Sequence, residues 1–173
     1  MSNQKETMVI RGGRVLDPAS GLDEIRDLWI AEGKVEKITM PGECQVNGVK
    51  EINAAGCYVM PGLIDLHVHL RDPGLEYKED IQTGGMAAAK GGFTTICCMA
   101  NTKPVVDCAE TVSYIVDKAA KVSPVHVIPV GSVTMGMEGK ELTDMAAMKA
   151  AGCGAISEDG KTVMDREVCK KGM

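Results

Sequence analysis

Beyond Tyr58 the chain alternates short apolar, β-branched runs with segments of helical spacing, and this alternation restricts the fold more than any other feature. Residues 58–70, broken at Pro61-Gly62, read as a buried parallel strand. Residues 79–90 follow as a helix stopped by Gly91-Gly92, and 93–99 as a second strand. Asp107 with Glu110 three residues on has the capping-box spacing, and opens a helix carrying Val112, Ile115, Val116 and Ala119 on one face. Residues 125–130 form a third strand, 143–151 a third helix closed by Gly152, 153–157 a short fourth strand, and 165–171 the start of a fourth helix. Successive βα units of this kind require a parallel α/β sheet. No repeat of 20–50 residues is present, which excludes a solenoid.

The first third reads differently. Residues 8–16 and 27–38 are strand-like, with turns expected at Gly12-Gly13 and Glu32-Gly33, and with Trp29, Val35 and Ile38 as a small apolar face. The expected division is therefore 1–56, part of a β module too small to stand comfortably alone, and 57–173, a run of βα units. The second region has under half of the roughly 250 residues of a complete (β/α)8 barrel. A doubly wound open sheet fits the length, but its dinucleotide fingerprint is absent and the strand ends carry ligand-type residues instead.

Composition removes several functions. A net charge of −5 with no basic stripe gives no footprint for nucleic acid. No apolar run reaches the ~18 residues of a membrane span, and the polar start lacks a signal-peptide core, so a cytoplasmic location is expected. The seven cysteines are odd in number and contain no Cys-x-x-Cys; they are expected to be reduced, and most to be buried. The spacing from Gly131 to Gly136 resembles a P-loop, but Met137 stands where lysine is required. No serine sits in a nucleophile elbow, and Glu158-Asp159 lacks the alternating ligands of a calcium loop.

Two of the three histidines fall in one tripeptide, His67-Val68-His69, at the C-terminal end of the first long strand. Side chains at i and i+2 of a strand share a side, so both imidazoles reach one point, at the end where α/β proteins place their sites. Two imidazoles and a carboxylate suit Zn²⁺; the acidic turn Ser157-Glu158-Asp159-Gly160 is either an ordinary loop or, in a barrel, the source of a carboxylate brought to the same mouth from the fourth strand. Arg71, just past His69, offers a fork for a substrate carboxylate; its bland alternative is a structural pair with Asp72 or Glu76. Asn101 is a second strand-end polar group, or else an ordinary turn asparagine. His126, in an apolar stretch, is given no chemistry.

These residues add up to a resemblance. The run from Val59 through Pro61-Gly62-Leu63-Ile64-Asp65-Leu66-His67-Val68-His69 is similar to the first barrel strand of the amidohydrolase superfamily. The continuation Leu70-Arg71-Asp72-Pro73-Gly74, the stretch Lys90-Gly91-Gly92-Phe93-Thr94-Thr95 and the tetrapeptide Asn101-Thr102-Lys103-Pro104 closely resemble the dihydroorotase family, in its bacterial long-chain class. The resemblance implies a metal-dependent (β/α)8 TIM barrel, of which this chain holds about four βα units, flanked by a β-sandwich built from both chain ends. It implies reversible, zinc-dependent closure of N-carbamoyl-L-aspartate to L-dihydroorotate in pyrimidine synthesis.

By resemblance His67 and His69 are ligands of the first zinc, and Asp159 is the carboxylate that bridges two metals. Arg71 and Asn101 bind the substrate carboxylate, with His69 also beside the substrate. Relatives that use a carboxylated lysine as the bridge place it two positions before Lys161, which is therefore left out. Two departures are visible: Ala100 stands where the family usually has proline, which is expected to loosen the loop of Asn101, and Glu158 stands where it usually has aspartate. The family's second-metal histidines and catalytic aspartate come from later strands, and this chain has none of them, so the 173 residues alone are expected to be inactive. Small-molecule substrates, self-association and an aspartate transcarbamoylase partner are the implied partners. Two rival readings stay open: a sister cyclic amidohydrolase (dihydropyrimidinase, hydantoinase or allantoinase), and a non-catalytic scaffold subunit. A half barrel leaves strand edges and apolar surface unpaired, so instability or association is expected.

Overall fold

The computed structural model describes residues 7–43, 45 and 48–173, leaving Cys44 and the polar start outside the described residues. Two compact units, Met1–Pro61 and Gly62–Met173, divide the chain.

The first unit is one five-stranded sheet: β1 (Met8–Asp17), β2 (Leu22–Ala31), β3 (Lys34–Thr39), β4 (Lys50–Asn53) and β5 (Tyr58–Val59). Its order is β3-β2-β1-β4, with β5 pairing further along β1. Gly12-Gly13 is not a turn. It is a bulge within β1, where the register against β2 slips between Ile10 and Gly13. The bulge turns the Gly12 N–H onto Oδ1 of Asp27 at 2.8 Å, and Gly42 N and Arg11 complete the shell of this buried carboxylate at 2.9 and 3.1 Å. The chain reverses instead after Asp17, whose carboxylate accepts from Ala19 N and Ser20 Oγ. Glu32-Gly33 does turn as expected, with φ of 51° and 75°, the paired left-handed residues that a two-residue hairpin requires. Val9, Val15 and Leu28 are the buried apolar residues of the strands, whereas Val35 and Ile38, expected in an apolar face, are exposed.

The strand expected over 58–70 is two strands. Tyr58 and Val59 pair with Arg14 and Val15 in the first sheet, and the chain then breaks at Pro61-Gly62. The two compact units meet at this break, between Pro61 and Gly62. Gly62 tolerates no side chain, since a Cβ there would lie 2.0 Å from Thr94.

The second unit is α/β. β6 (Leu63–Val68), β7 (Phe93–Cys98), β8 (His126–Gly131) and β9 (Ala155–Ile156) form a parallel sheet in chain order, interleaved with α1 (Ile81–Lys90), α2 (Ala109–Val122), α3 (Met145–Ala150) and a last helix α4 (Arg166–Gly172). Alternation along β7 separates two apolar faces. Ile96, Cys98 and Ala100 join Ile81, Val112, Ile115 and Met148 in the core between sheet and helices, while Cys97 and Met99 pack with Val130 on the other side. α1 starts at a capping box between Asp80 and Thr83. The expected cap of α2 fails: Cys108 holds the N-cap position with no side-chain bond to the helix backbone, and Asp107 instead accepts from Gly136 N at 2.9 Å. β6 is less buried than a central strand, since it pairs only with β7 among the described residues and leaves Leu63, Ile64 and Leu66 exposed.

All six described cysteines are free, but only Cys97 and Cys98 are buried, and Cys57 is exposed. Burial pushes the Cys98 thiol up to about 12, in keeping with an inert core role. No helix among the described residues is long and apolar enough to cross a membrane.

Candidate metal centre

Four parallel strands lying flat would separate β6 from β9 by roughly 14 Å at the usual ~4.8 Å spacing. Yet Asp159, just after β9, places Oδ1 3.1 Å from Nε2 of His67 on β6. The sheet is curled, and its first and last strands deliver their C-terminal ends to one mouth. His67 and His69 stack edge to face with ring centroids 5.1 Å apart, as their i and i+2 spacing requires. Ligand atoms of His67, His69 and Asp159 all lie within 4.8 Å of one another. Two imidazoles with one carboxylate are a donor set that fits a divalent metal ion and leaves further coordination positions open.

Asn101 sits between these groups. Its Nδ2 donates to Oδ2 of Asp159 at 2.6 Å, and its Oδ1 lies 3.0 Å from Nδ1 of His69. A carboxylate only accepts, so the amide must turn its NH₂ to Asp159 and its oxygen to His69. Nδ1 of His69 must then carry the proton, which leaves the Nε2 lone pair for a metal. One N–H of the Asn101 amide remains for a ligand. Ala100 does not loosen this loop: it is fully buried, and its carbonyl accepts from Thr102 N and Val106 N at 2.8 and 3.1 Å.

Arg71 follows His69 with φ of +61°, a left-handed conformation uncommon outside glycine. Neither Asp72 nor Glu76 takes its guanidinium, and no hydrogen bond or ion pair engages that group among the described residues. Asp72 is instead buried. It accepts from Tyr114 Oη at 3.0 Å and from Lys118 Nζ at 2.7 Å, both on α2, and this contact holds the Lys118 ammonium well above its usual pKa, with help from the Tyr114 hydroxyl. Gly74, at φ +87°, lies so close to the next loop that a Cβ would meet the Lys103 carbonyl oxygen at 1.7 Å. The loops after β6 and β7 are thus tied together, and the free guanidinium stands on an anchored segment.

Two carboxylates have partners that their local sequence does not reveal. Asp72 reads from its neighbours as a partner of Arg71, although Tyr114 and Lys118, four apart on one helix face, are a usable signal for a buried acid. Glu158 turns inward and is bound by the loop after β8, while Asp159 turns to His67 and Asn101. Lys161 donates its Nζ to the Met137 carbonyl at 2.9 Å. His126 is exposed at the N-terminal end of β8, the end of that strand away from the ligand-bearing loops.

A family model for dihydro-orotase-like proteins matches residues 56–173. Over 166 residues the chain is 48% identical to a dihydroorotase of Trichlorobacter lovleyi and 49% identical to one of Geobacter sulfurreducens, covering 96% of this chain in both cases. It spans 39% of the length of these curated relatives. Among solved structures it is similar to the L-hydantoinase (dihydropyrimidinase) of Arthrobacter aurescens, at 25% identity and a TM-score of 0.74, over 87% of this chain and 32% of that one.

Proposed function

Since this chain belongs to the dihydro-orotase-like family, we propose that it carries the first part of a dihydroorotase active site, acting reversibly between N-carbamoyl-L-aspartate and L-dihydroorotate in the cytoplasm. The observation that carries this reading is the convergence of ligand-type atoms of His67, His69 and Asp159 within 4.8 Å, with Asn101 bonded to both His69 and Asp159. His67, His69 and Asp159 hold zinc. A divalent metal held by these three residues would supply Lewis-acid chemistry, lowering the pKa of water towards neutrality and polarising a carbonyl.

The chain's own residues supply orientation. Arg71 takes the substrate carboxylate in a two-pronged fork, and the free N–H of Asn101 donates to the same group. Held at those two points, the ring amide is set against the ligand cluster, and the entropy of bringing the reacting atoms together is lost on binding rather than in the reaction. Asn101 also keeps the lone pair of His69 Nε2 directed outward, so one side chain serves metal and substrate. The second-metal ligands and the proton-shuttling acid lie outside this set, and the proposed activity is that of the whole enzyme. Self-association and a transcarbamoylase partner belong to that same reading.

The likeness to a hydantoinase fold keeps a sister activity in view, and the two differ in the ring carboxylate. The zinc-loaded chain is titrated calorimetrically with N-carbamoyl-L-aspartate, L-dihydroorotate and dihydrouracil. The two carboxylate ligands bind at least tenfold more tightly than dihydrouracil, and R71A abolishes the difference. Equal binding of all three, or no effect of R71A, favours the hydantoinase-type substrate instead.

A further inference from the structure

We propose that Glu158 is a positioning residue, a buried latch that holds Asp159 in the conformation in which it meets His67. The inference deepens the metal-site reading above and rests on it. Glu158 is 8% exposed, and its carboxylate is enclosed by the loop after β8. Oε2 accepts from Val133 N at 3.0 Å and from Thr134 N at 3.1 Å, and Oε1 accepts from the Thr134 hydroxyl. Thr134 is fully buried, and its Oγ1 accepts in turn from Gly139 N at 2.8 Å. That receiving loop is itself fixed, because Thr143 Oγ1 donates to the Ser132 carbonyl at 2.9 Å and Thr143 N to the Val133 carbonyl at 3.1 Å.

The neighbouring residue needs such a hold. Asp159 has φ of +51°, a conformation that an L-residue other than glycine adopts only when its surroundings demand it. The turn supplies little by itself, with Asp159 N donating to Ser157 Oγ at 3.0 Å and Lys161 N to the Glu158 carbonyl at 3.0 Å. The side chains of residues 158 and 159 point to opposite partners, one into the loop after β8 and the other onto His67 and Asn101. Three charge-assisted hydrogen bonds to Glu158 therefore define where the backbone of Asp159 can be, and Asp159 delivers its carboxylate across the curl of the sheet.

The test uses the full chain and two readouts. In the metal-free protein, backbone chemical shifts and the amide–α-proton coupling report φ at residue 159; in a second experiment, zinc affinity is measured by competition with a chromophoric chelator. E158A is expected to lose the left-handed signature at 159 and to bind zinc at least tenfold more weakly. The nearly isosteric T134V, which removes one donor without opening a void, moves both readouts the same way by a smaller factor and decides the matter if E158A does not fold. E158Q, whose amide oxygen still accepts from both backbone N–H groups, keeps the parent backbone at 159 and stays within threefold in affinity. An unchanged residue 159, or unchanged zinc affinity, in both E158A and T134V overturns the proposal. So does an equal fall in melting temperature and affinity in E158A and E158Q, which marks a merely structural role. A parent chain that binds no zinc refutes the metal reading, while the backbone readout at 159 still decides the latch.

Discussion

At the scale of single residues, the site depends on which nitrogen of His69 carries its proton. The acceptor-only carboxylate of Asp159 orients Asn101, and Asn101 in turn sets His69. Long-range ¹H–¹⁵N spectra of the metal-free chain are therefore expected to show His69 as the Nδ1–H tautomer, and N101A to show a mixture dominated by the usual Nε2–H form. A pure Nε2–H signal in the parent would contradict the assignment. The candidate ligands are legible in the sequence, because the i and i+2 spacing of His67 and His69 is a local rule and Asp159 follows a strand end. What Glu158 and Asp72 do was not legible. Each is a carboxylate whose hydroxyl and ammonium partners lie 24 to 46 residues away, on Thr134 and on Tyr114 and Lys118, and no local pattern tells an acid facing inward from one facing water.

At the scale of elements, the strands and helices of the second unit follow their hydrophobic periods to within a few residues, as local rules allow. The errors lie where a distant group decides. Gly12-Gly13 has the look of a turn, but Asp27 on the neighbouring strand draws the Gly12 N–H inward and makes a bulge. Asp107 has capping-box spacing, but Gly136 takes its carboxylate. Burial alone raises the Asp27 carboxyl, yet the N–H groups of Gly42 and Gly12 and the Arg11 guanidinium outweigh it and hold the pKa below the usual range. A folded-state value below the unfolded ~3.9 means that the ion contributes stability above that pH and loses it as pH falls through the folded value. The melting temperature of the first sheet is expected to hold from pH 7 to about pH 5 and then to fall below about pH 4. D27N is expected to cost about 2 kcal/mol at pH 7 and to flatten that acid limb. A parent and variant with the same acid profile would remove Asp27 from the account.

At the scale of the whole molecule, the parallel sheet has an edge with no cover among the described residues. β6 carries Leu63, Ile64 and Leu66 at 43, 61 and 71% exposure, in a strand whose sequence reads as buried. An apolar edge of this kind pairs with whatever it meets. Sedimentation velocity is expected to show concentration-dependent association of the chain, and Leu66→Lys to shift it towards monomer. A sharp monomer with a cooperative melt at all concentrations would contradict this. The curl that leaves the edge open is also what brings β6 and β9 to one mouth, so architecture and site have a common origin.

The proposed metal centre requires His67, His69 and Asp159 to act together. The most direct test is zinc binding by the purified chain, followed by calorimetry and X-ray absorption on the parent, H67A, H69A and D159N. One tightly held zinc per chain is expected, in a shell of nitrogen and oxygen that includes two imidazoles, with at least a tenfold loss of affinity in each variant. Zinc held by cysteine sulfur, or bound equally well by all four proteins, would contradict it.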